Sequence, residues 1–269
     1  MATRMDRLLD ATHRVEARHF WFRGLRRFLR PLLDRATGGR TGARLLDCGC
    51  GTGANLPLLA RFGSVWAVDL SAYGVGLARA AGFTRSARAS VAQLPFGDAT
   101  FDVVTSIDVL YSLDDEDEGR AVEEMYRVLK PGGAAILNFA AMRILRGDHS
   151  VLSEEVRRYD RGRVRTLLGR AGFRIDRLTY TNATLFPLVL VQRTVERAMG
   201  LASRDRAAEK MTIPPAPVNE LLAAILALES VALRLVSLPF GSSLLCLAGK
   251  PVDSRRSTGA QVSTAYCLL

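Results

Sequence analysis

A layered α/β domain built on a mostly parallel sheet is the fold that this 269-residue sequence predicts. Three observations carry the expectation. Short apolar runs alternate with helix-like stretches along most of the chain, the pattern of parallel strands joined by crossover helices. The first run, ARLLDC, passes directly into Gly49-x-Gly51-x-Gly53. Glycines at such a junction permit positive φ and let a ligand approach bare backbone. Apolar residues make up 48% of the chain, enough for a substantial core.

The elements follow in order. Residues 14–35 (RVEARHFWFRGLRRFLRPLLDR) read as one basic amphipathic helix with an aromatic cluster. Strands are expected at 43–48, 64–70, 84–90, 101–107, 133–139, 173–181 and 242–249, most of them short apolar runs separated by helix-like stretches. Helices are expected at 55–62, 72–81, 117–129 and 161–171. Lys130-Pro131-Gly132-Gly133 reads as a helix stop, a cation in the last turn followed by chain-turning residues. Residues 183–240 separate the last two strands and read as mostly helical, with 219–238 nearly all apolar. Glu229 and Arg234 interrupt that run, so it reads as a buried or interfacial helix rather than a membrane span. The expected division is an arm or lid over 1–40, a ligand-binding domain over 41–182 and 241–250, a helical insert over 183–240 and a loose tail over 251–269.

The glycine stretch raises a choice of ligand. Dinucleotide enzymes use G-x-G-x-x-G, whereas here the third glycine comes one residue early. Asp47 precedes the loop and would sit badly beside a pyrophosphate; a cofactor carrying positive charge suits it better, although contact through water or bonding to the loop's own backbone serves equally well. Asp69 ends the next strand, the place where a ribose diol is held in this architecture. Each residue also has a purely structural reading, as a loop cap, a turn residue or a βα-junction glycine.

In register, LLDCGCGTGANL, VWAVDLS, AQLPFGDATFDVV, DVLYSL and EEMYRVLKPGG resemble the motifs of class I S-adenosyl-L-methionine-dependent methyltransferases of the type 11 group. The likeness covers roughly residues 43–140. It implies a Rossmann-like sheet of seven strands with helices on both faces and the last strand antiparallel. It also implies S-adenosyl-L-methionine as cofactor. By that resemblance Asp47, Gly49, Cys50, Gly51 and Gly53 form the methionine-binding loop, Asp69 binds the ribose and Leu70 packs on the adenine. Ser90 stands where many members carry an acid for the adenine amino group, so backbone around Val91 is expected to serve. Ile107 and Asp108 would flank the cofactor, and Tyr111-Ser112 replaces a frequent Glu-His pair. The HFWFRG segment, His19 to Gly24, resembles an N-terminal signature of relatives; its aromatics would close over the cofactor or dock the helix, with Arg23 reaching the cofactor carboxylate.

Methyl transfer mainly requires holding the nucleophile in line, and a base only where the acceptor must lose a proton. Candidate catalytic residues are Tyr111 after the fourth strand and His149 and Tyr159 after the fifth. His149 has a plain reading as a surface loop residue. Arg157 and Arg158 read either as a clamp for an anionic acceptor or as a solvated helix face. No metal is expected, because Cys48 and Cys50 lack further Cys or His at ligand spacing.

The net charge is +10 and is unevenly placed: residues 1–43 carry ten arginines against four acids, and residues 141–180 ten against five. Biased arginine usage accounts for this as well as a surface facing an anionic partner does. Nucleic acid is not expected as a substrate, since neither an Asn-Pro-Pro-aromatic box nor a Pro-Cys nucleophile follows the fourth strand. The leading expectation is a small-molecule acceptor, apolar or anionic, methylated at O, N or C in secondary-metabolite, quinone or lipid-linked biosynthesis. The four scattered cysteines and the absence of an N-terminal apolar stretch point to the cytoplasm, and the basic segments with the apolar insert suit peripheral contact with an anionic membrane. The alternatives are a non-catalytic cofactor- or partner-binding protein and an NAD-dependent oxidoreductase.

Overall fold

The computed structural model describes residues 4–142, 155–198 and 212–252. Two helices, α1 (Arg4–Val15) and α2 (Phe20–Thr37), precede β1 (Ala43–Cys48). After them come α3 (Leu56–Leu59), β2 (Gly63–Asp69), α4 (Ala72–Ala80), β3 (Ser86–Arg88) and β4 (Phe101–Ile107). A 3₁₀ turn (Leu110–Ser112), α5 (Asp115–Val128), β5 (Leu129–Ala140), α6 (Arg161–Arg170) and β6 (Arg174–Thr181) follow. The described elements end with α7 (Phe186–Ala198), α8 (Ala216–Ala232) and β7 (Ser243–Gly249).

The seven strands form one sheet in the order β3-β2-β1-β4-β5-β7-β6. The pairs from β3 through to β5 are parallel, and β7 runs antiparallel to both β5 and β6. The chain leaves β1 toward β2 on one side and returns to β4 on the other. Between β1 and β4, therefore, the winding reverses, and a crevice opens outside the carboxyl ends of the strands.

Strand alternation divides the core into two halves. Leu46, Val104 and Leu137 face the side covered by Val122 and Met125 of α5 and Val164 and Leu168 of α6. Leu45, Val103 and Ile136 face the other side, under Phe28, Leu29 and Leu33 of α2 and Leu226 of α8. Burial on both faces explains why the central strands read as continuous apolar runs.

Three expectations need correction. The arm is two helices rather than one over 14–35. The break falls at residues 16–19, where His19 is extended and its Nδ1 accepts from the Trp21 amide at 3.2 Å as an N-cap. The helix after the glycine loop is a single turn, Leu56–Leu59, not 55–62. Residues 131–133 lie within β5 as an irregularity, where pairing jumps from Phe101↔Leu129 to Val103↔Ala134. The cation closing the end of α5 is Lys250, whose Nζ donates to the Tyr126 and Leu129 carbonyls at 2.8 Å, whereas Lys130 pairs with Asp102.

The arm and the insert meet on one face of the sheet. α8 buries Asn219, Ala223, Leu226, Glu229 and Ser230, and a Cβ at Gly24 of α2 would lie 2.4 Å from Leu226 Cδ1. Pro31 sits inside α2 and cannot donate to the Arg27 carbonyl one turn back. The Ser230 hydroxyl donates to that carbonyl instead, at 3.0 Å.

Candidate functional site

A cleft of about 1140 Å³ lies at the carboxyl edge of the sheet, at the point where the winding reverses. Its floor is the loop after β1. Gly49 and Gly51 have φ of 81° and 52°, in the region that disfavours side chains. A Cβ on Gly49 would also stand 2.3 Å from Val109 Cγ2. The loop is bound from within. Gly49 and Cys50 amides both donate to the Val68 carbonyl at 2.8 and 3.0 Å, Gly53 donates to the Cys50 carbonyl at 2.9 Å, and Gly51 donates to Asp69 Oδ2 at 2.7 Å. These four amides are engaged inside the protein, and the following helix is one turn long, so the loop is not a phosphate cradle of the usual kind.

Asp69 accepts from Gly51 with one oxygen and from the Ser71 amide with the other, at 2.8 Å. Burial raises its pKa, while the backbone donors oppose that rise. Asp69 borders the cleft, and a carboxylate with about four acceptor sites retains capacity for a ligand hydroxyl beyond these backbone donors. Beside it Leu70 is 66% exposed, a bare apolar surface on the cleft wall, while Val91 is buried and Ser90 Oγ accepts from the Ala92 amide at 3.2 Å.

Asp47 lies under the loop rather than on the cleft. It is 2% exposed, and its Oδ1 accepts from the Thr105 hydroxyl at 2.6 Å. Burial pushes its pKa up to about 6, against the pull of that hydrogen bond and with a smaller push from Asp69. Burial also drives the Cys48 and Cys50 thiols upward, so both stay protonated.

The opposite end of the cleft is formed by the end of β4 and the residues that follow it. Ile107, Asp108, Val109 and Tyr111 line it. Asp108 adopts a φ of 57°, uncommon for a residue with a side chain. Asn138 holds it twice: the Asp108 amide donates to the Asn138 carbonyl at 3.1 Å, and Asn138 Nδ2 donates to Asp108 Oδ1 at 2.9 Å. Burial pushes the Asp108 carboxyl up to about 6, and the nearby Arg158 charge opposes this. Arg158 and Glu155 also line the cleft, joined by two hydrogen bonds at 2.7 and 2.9 Å. No cluster of three or more His, Cys, Asp or Glu suited to a metal occurs among the described residues.

The arm closes the third side. Phe20, Trp21 and Phe22 border the cleft, as do Leu9, Thr12 and Glu16 of α1 and its end. Glu16 Oε2 accepts from the Thr52 hydroxyl at 2.6 Å, Asp6 accepts from Ser71 Oγ at 2.7 Å, and Leu9 Cδ2 would meet a Cβ on Gly51 at 3.3 Å.

Several expected site residues lie elsewhere. Arg23 does not border the cleft: its guanidinium is clamped by Glu220 at 2.5 and 2.8 Å. Arg26, three residues further along α2, borders it instead and donates to the Glu16 carbonyl at 2.8 Å. Tyr159 is 2% exposed, packs on Phe139 and donates to Glu118 at 2.5 Å, with its pKa raised by burial; it is a core residue. Gly53 packs under the loop against Ala78. His149 lies outside the described residues. The α1 contacts were missed from sequence, although the spacing of Leu8, Ala11 and Val15, all buried, marks an inward face.

The methyltransferase domain family matches residues 46–137, a segment running from the middle of β1 into β5 and containing the glycine loop, Asp69 and Asp108. Over that segment the chain is similar to a methyltransferase domain. The ubiquinone/menaquinone biosynthesis C-methyltransferase UbiE of Vibrio parahaemolyticus is 31% identical over 125 residues, covering 42% of this chain and 48% of that protein. The chain spans about half the length of the curated relatives it matches. Among solved structures, the [4+2]-cyclase SpnF aligns with a TM-score of 0.53 at 24% identity over 83% of this chain and 80% of that one. A methyltransferase from Methanosarcina mazei aligns at 0.52 and 17% identity, over 80% and 95%. These likenesses establish the fold of the methyltransferase domain, and the first belongs to a cyclase, so the fold does not by itself name the reaction.

Proposed function

We propose that the protein transfers a methyl group from S-adenosyl-L-methionine to a small, apolar acceptor. The observation that carries this reading is the Gly51–Asp69 pair: a glycine loop whose amides are engaged internally, with a carboxylate still able to accept hydroxyls beside it. A dinucleotide would need those amides for its pyrophosphate. The residues suit the cofactor: Gly49, Cys50 and Gly51 bear on its amino-acid part, Asp69 on its ribose, and Leu70, Ser90 and Val91 on its adenine. Arg26 replaces Arg23 as the cation available to a carboxylate. Asp47 contributes negative potential from beneath the loop.

When bound, the cofactor supplies an electrophilic methyl on a sulfonium. The protein's share is position and proton handling. Asp108, half-buried at the cleft wall and fixed by Asn138, is placed to take the proton that an acceptor O–H, N–H or activated C–H gives up as its new bond to carbon forms. Tyr111 shapes the same end. The aromatic wall of Phe20, Trp21 and Phe22 favours a flat apolar acceptor, and the match to a quinone C-methyltransferase supports an aromatic or quinone-like one. The arm, residues 1–40, acts as a cover over the cofactor, and residues 183–240 complete the acceptor wall through Val189, Thr212 and Pro214.

Calorimetric titration with S-adenosyl-L-methionine, and separately with NAD, tests the cofactor assignment. Transfer of a labelled methyl to a panel of phenolic and quinol acceptors tests the reaction. Tight NAD binding without S-adenosyl-L-methionine binding would overturn the reading, and binding without turnover of any acceptor would make the protein a non-catalytic binder.

A further inference from the structure

The outward face of α8 is apolar where a surface helix is ordinarily polar. Val218, Leu221, Leu228 and Val231 are 46%, 62%, 72% and 58% exposed, and the turn beyond adds Leu235 at 88% and Val236 at 52%. Spacings of three and seven residues put Val218, Leu221, Leu228 and Leu235 on one side. The helix cannot turn this face inward. Its other face is fastened by Asn219 to the Phe20 amide and the Arg18 carbonyl, by Ser230 to Arg27, and by Glu229 to the Ala183 and Thr184 amides.

Charge beside the stripe is predominantly positive. α2, packed alongside, contains five arginines and one acid, Asp34. Arg27 and Arg30 are exposed there, as is Arg234 just past α8. The two acids of α8 are both engaged, Glu220 by Arg23 and Glu229 by the amides just named. A two-fold contact through the stripe would set two net-positive rims against each other, which costs rather than stabilises. No described helix is long and apolar enough to cross a membrane. A fastened helix with an apolar outward stripe and an arginine rim suits the surface of a bilayer, lying in its plane.

We infer that α8 seats the protein on an anionic lipid surface, with Leu221, Leu228 and Leu235 in the acyl boundary and Arg30 and Arg234 among the headgroups. The chain entering α8 lines the cleft through Thr212 and Pro214, so a seated protein turns its acceptor wall toward the bilayer. Delivery of an apolar acceptor from the lipid rests on the methyltransferase reading; the seating itself does not.

Flotation of the full chain with vesicles tests it. Binding is expected to vesicles of phosphatidylcholine mixed with phosphatidylglycerol, and not to phosphatidylcholine alone, and is expected to weaken as salt rises. Leu228→Asp combined with Leu235→Asp should abolish flotation, and Arg30→Glu and Arg234→Glu should each weaken it about fivefold or more. All variants should keep the unfolding temperature and S-adenosyl-L-methionine affinity of the parent, since none of these residues borders the cleft. Failure of the parent to bind mixed vesicles, or unchanged binding by the double leucine variant, overturns the inference. So does a parent dimer that Leu228→Asp converts to monomer without any vesicle binding. Vesicle binding by a parent that does not bind S-adenosyl-L-methionine would leave the seating intact and remove the methyltransferase reading.

Discussion

The carboxylate of Glu16 accepts a hydrogen bond from the hydroxyl of Thr52, joining the end of the first helix to the glycine loop across 36 residues of sequence at 2.6 Å. Both residues are buried. The arm is thus fastened to the glycine loop, and under the proposed reading a ligand held by the loop is expected to feel the loss of that fastening. Thr52→Val should weaken S-adenosyl-L-methionine binding about tenfold to a hundredfold, the range for a buried hydrogen bond to a charged group. Titration calorimetry checks this, and unchanged affinity would remove the arm from cofactor binding.

Asp69→Asn keeps the shape but turns one acceptor oxygen into a donor beside the Gly51 or Ser71 amide. Cofactor affinity should fall by about tenfold or more. A parallel titration with S-adenosylhomocysteine should show the same loss, because the ribose is common to both.

Asp108→Asn should leave cofactor affinity near the parent's while lowering kcat by about 100-fold to 10,000-fold, the range for a lost general base. A base works deprotonated, so the parent's activity should rise with pH through about 6, and the variant should lose that limb. A pH profile already flat between 5 and 7 in the parent would exclude Asp108 as the base.

Burial raises Asp47 and Asp108 from the ordinary 3.8 to about 6. The folded state therefore holds protons that the unfolded chain has released. Stability from these two carboxyls is full below 3.8 and is lost as pH rises through about 6. Asp47→Asn should flatten that decline, measured by urea unfolding at several pH values in ligand-free protein.

Gly49→Ala combines a left-handed φ with a clash against Val109. It should cost about 1–3 kcal/mol and also lower cofactor affinity, read by thermal unfolding with and without ligand. Tyr159→Phe, by contrast, should lower stability by about 1 kcal/mol through the lost bond to Glu118 and leave kcat unchanged.

What the sequence determined by itself is local. The junction from β1 to the loop follows from the apolar run and three glycines, and Asp69 follows from the end of the next strand, because strand period and positive φ are properties of neighbouring residues. The reversed last strand followed from resemblance and not from any local signal. Tertiary structure decided which side chains share the cleft. Arg23 and Arg26 lie less than one turn apart on α2, yet one meets α8 and the other the cleft. Tyr159, a catalytic candidate from sequence, is core, while Asp108 gained its standing from Asn138, 30 positions away. Helical and strand periodicity show that a face is buried, but not which distant surface buries it. That depends on contacts between segments far apart in the chain.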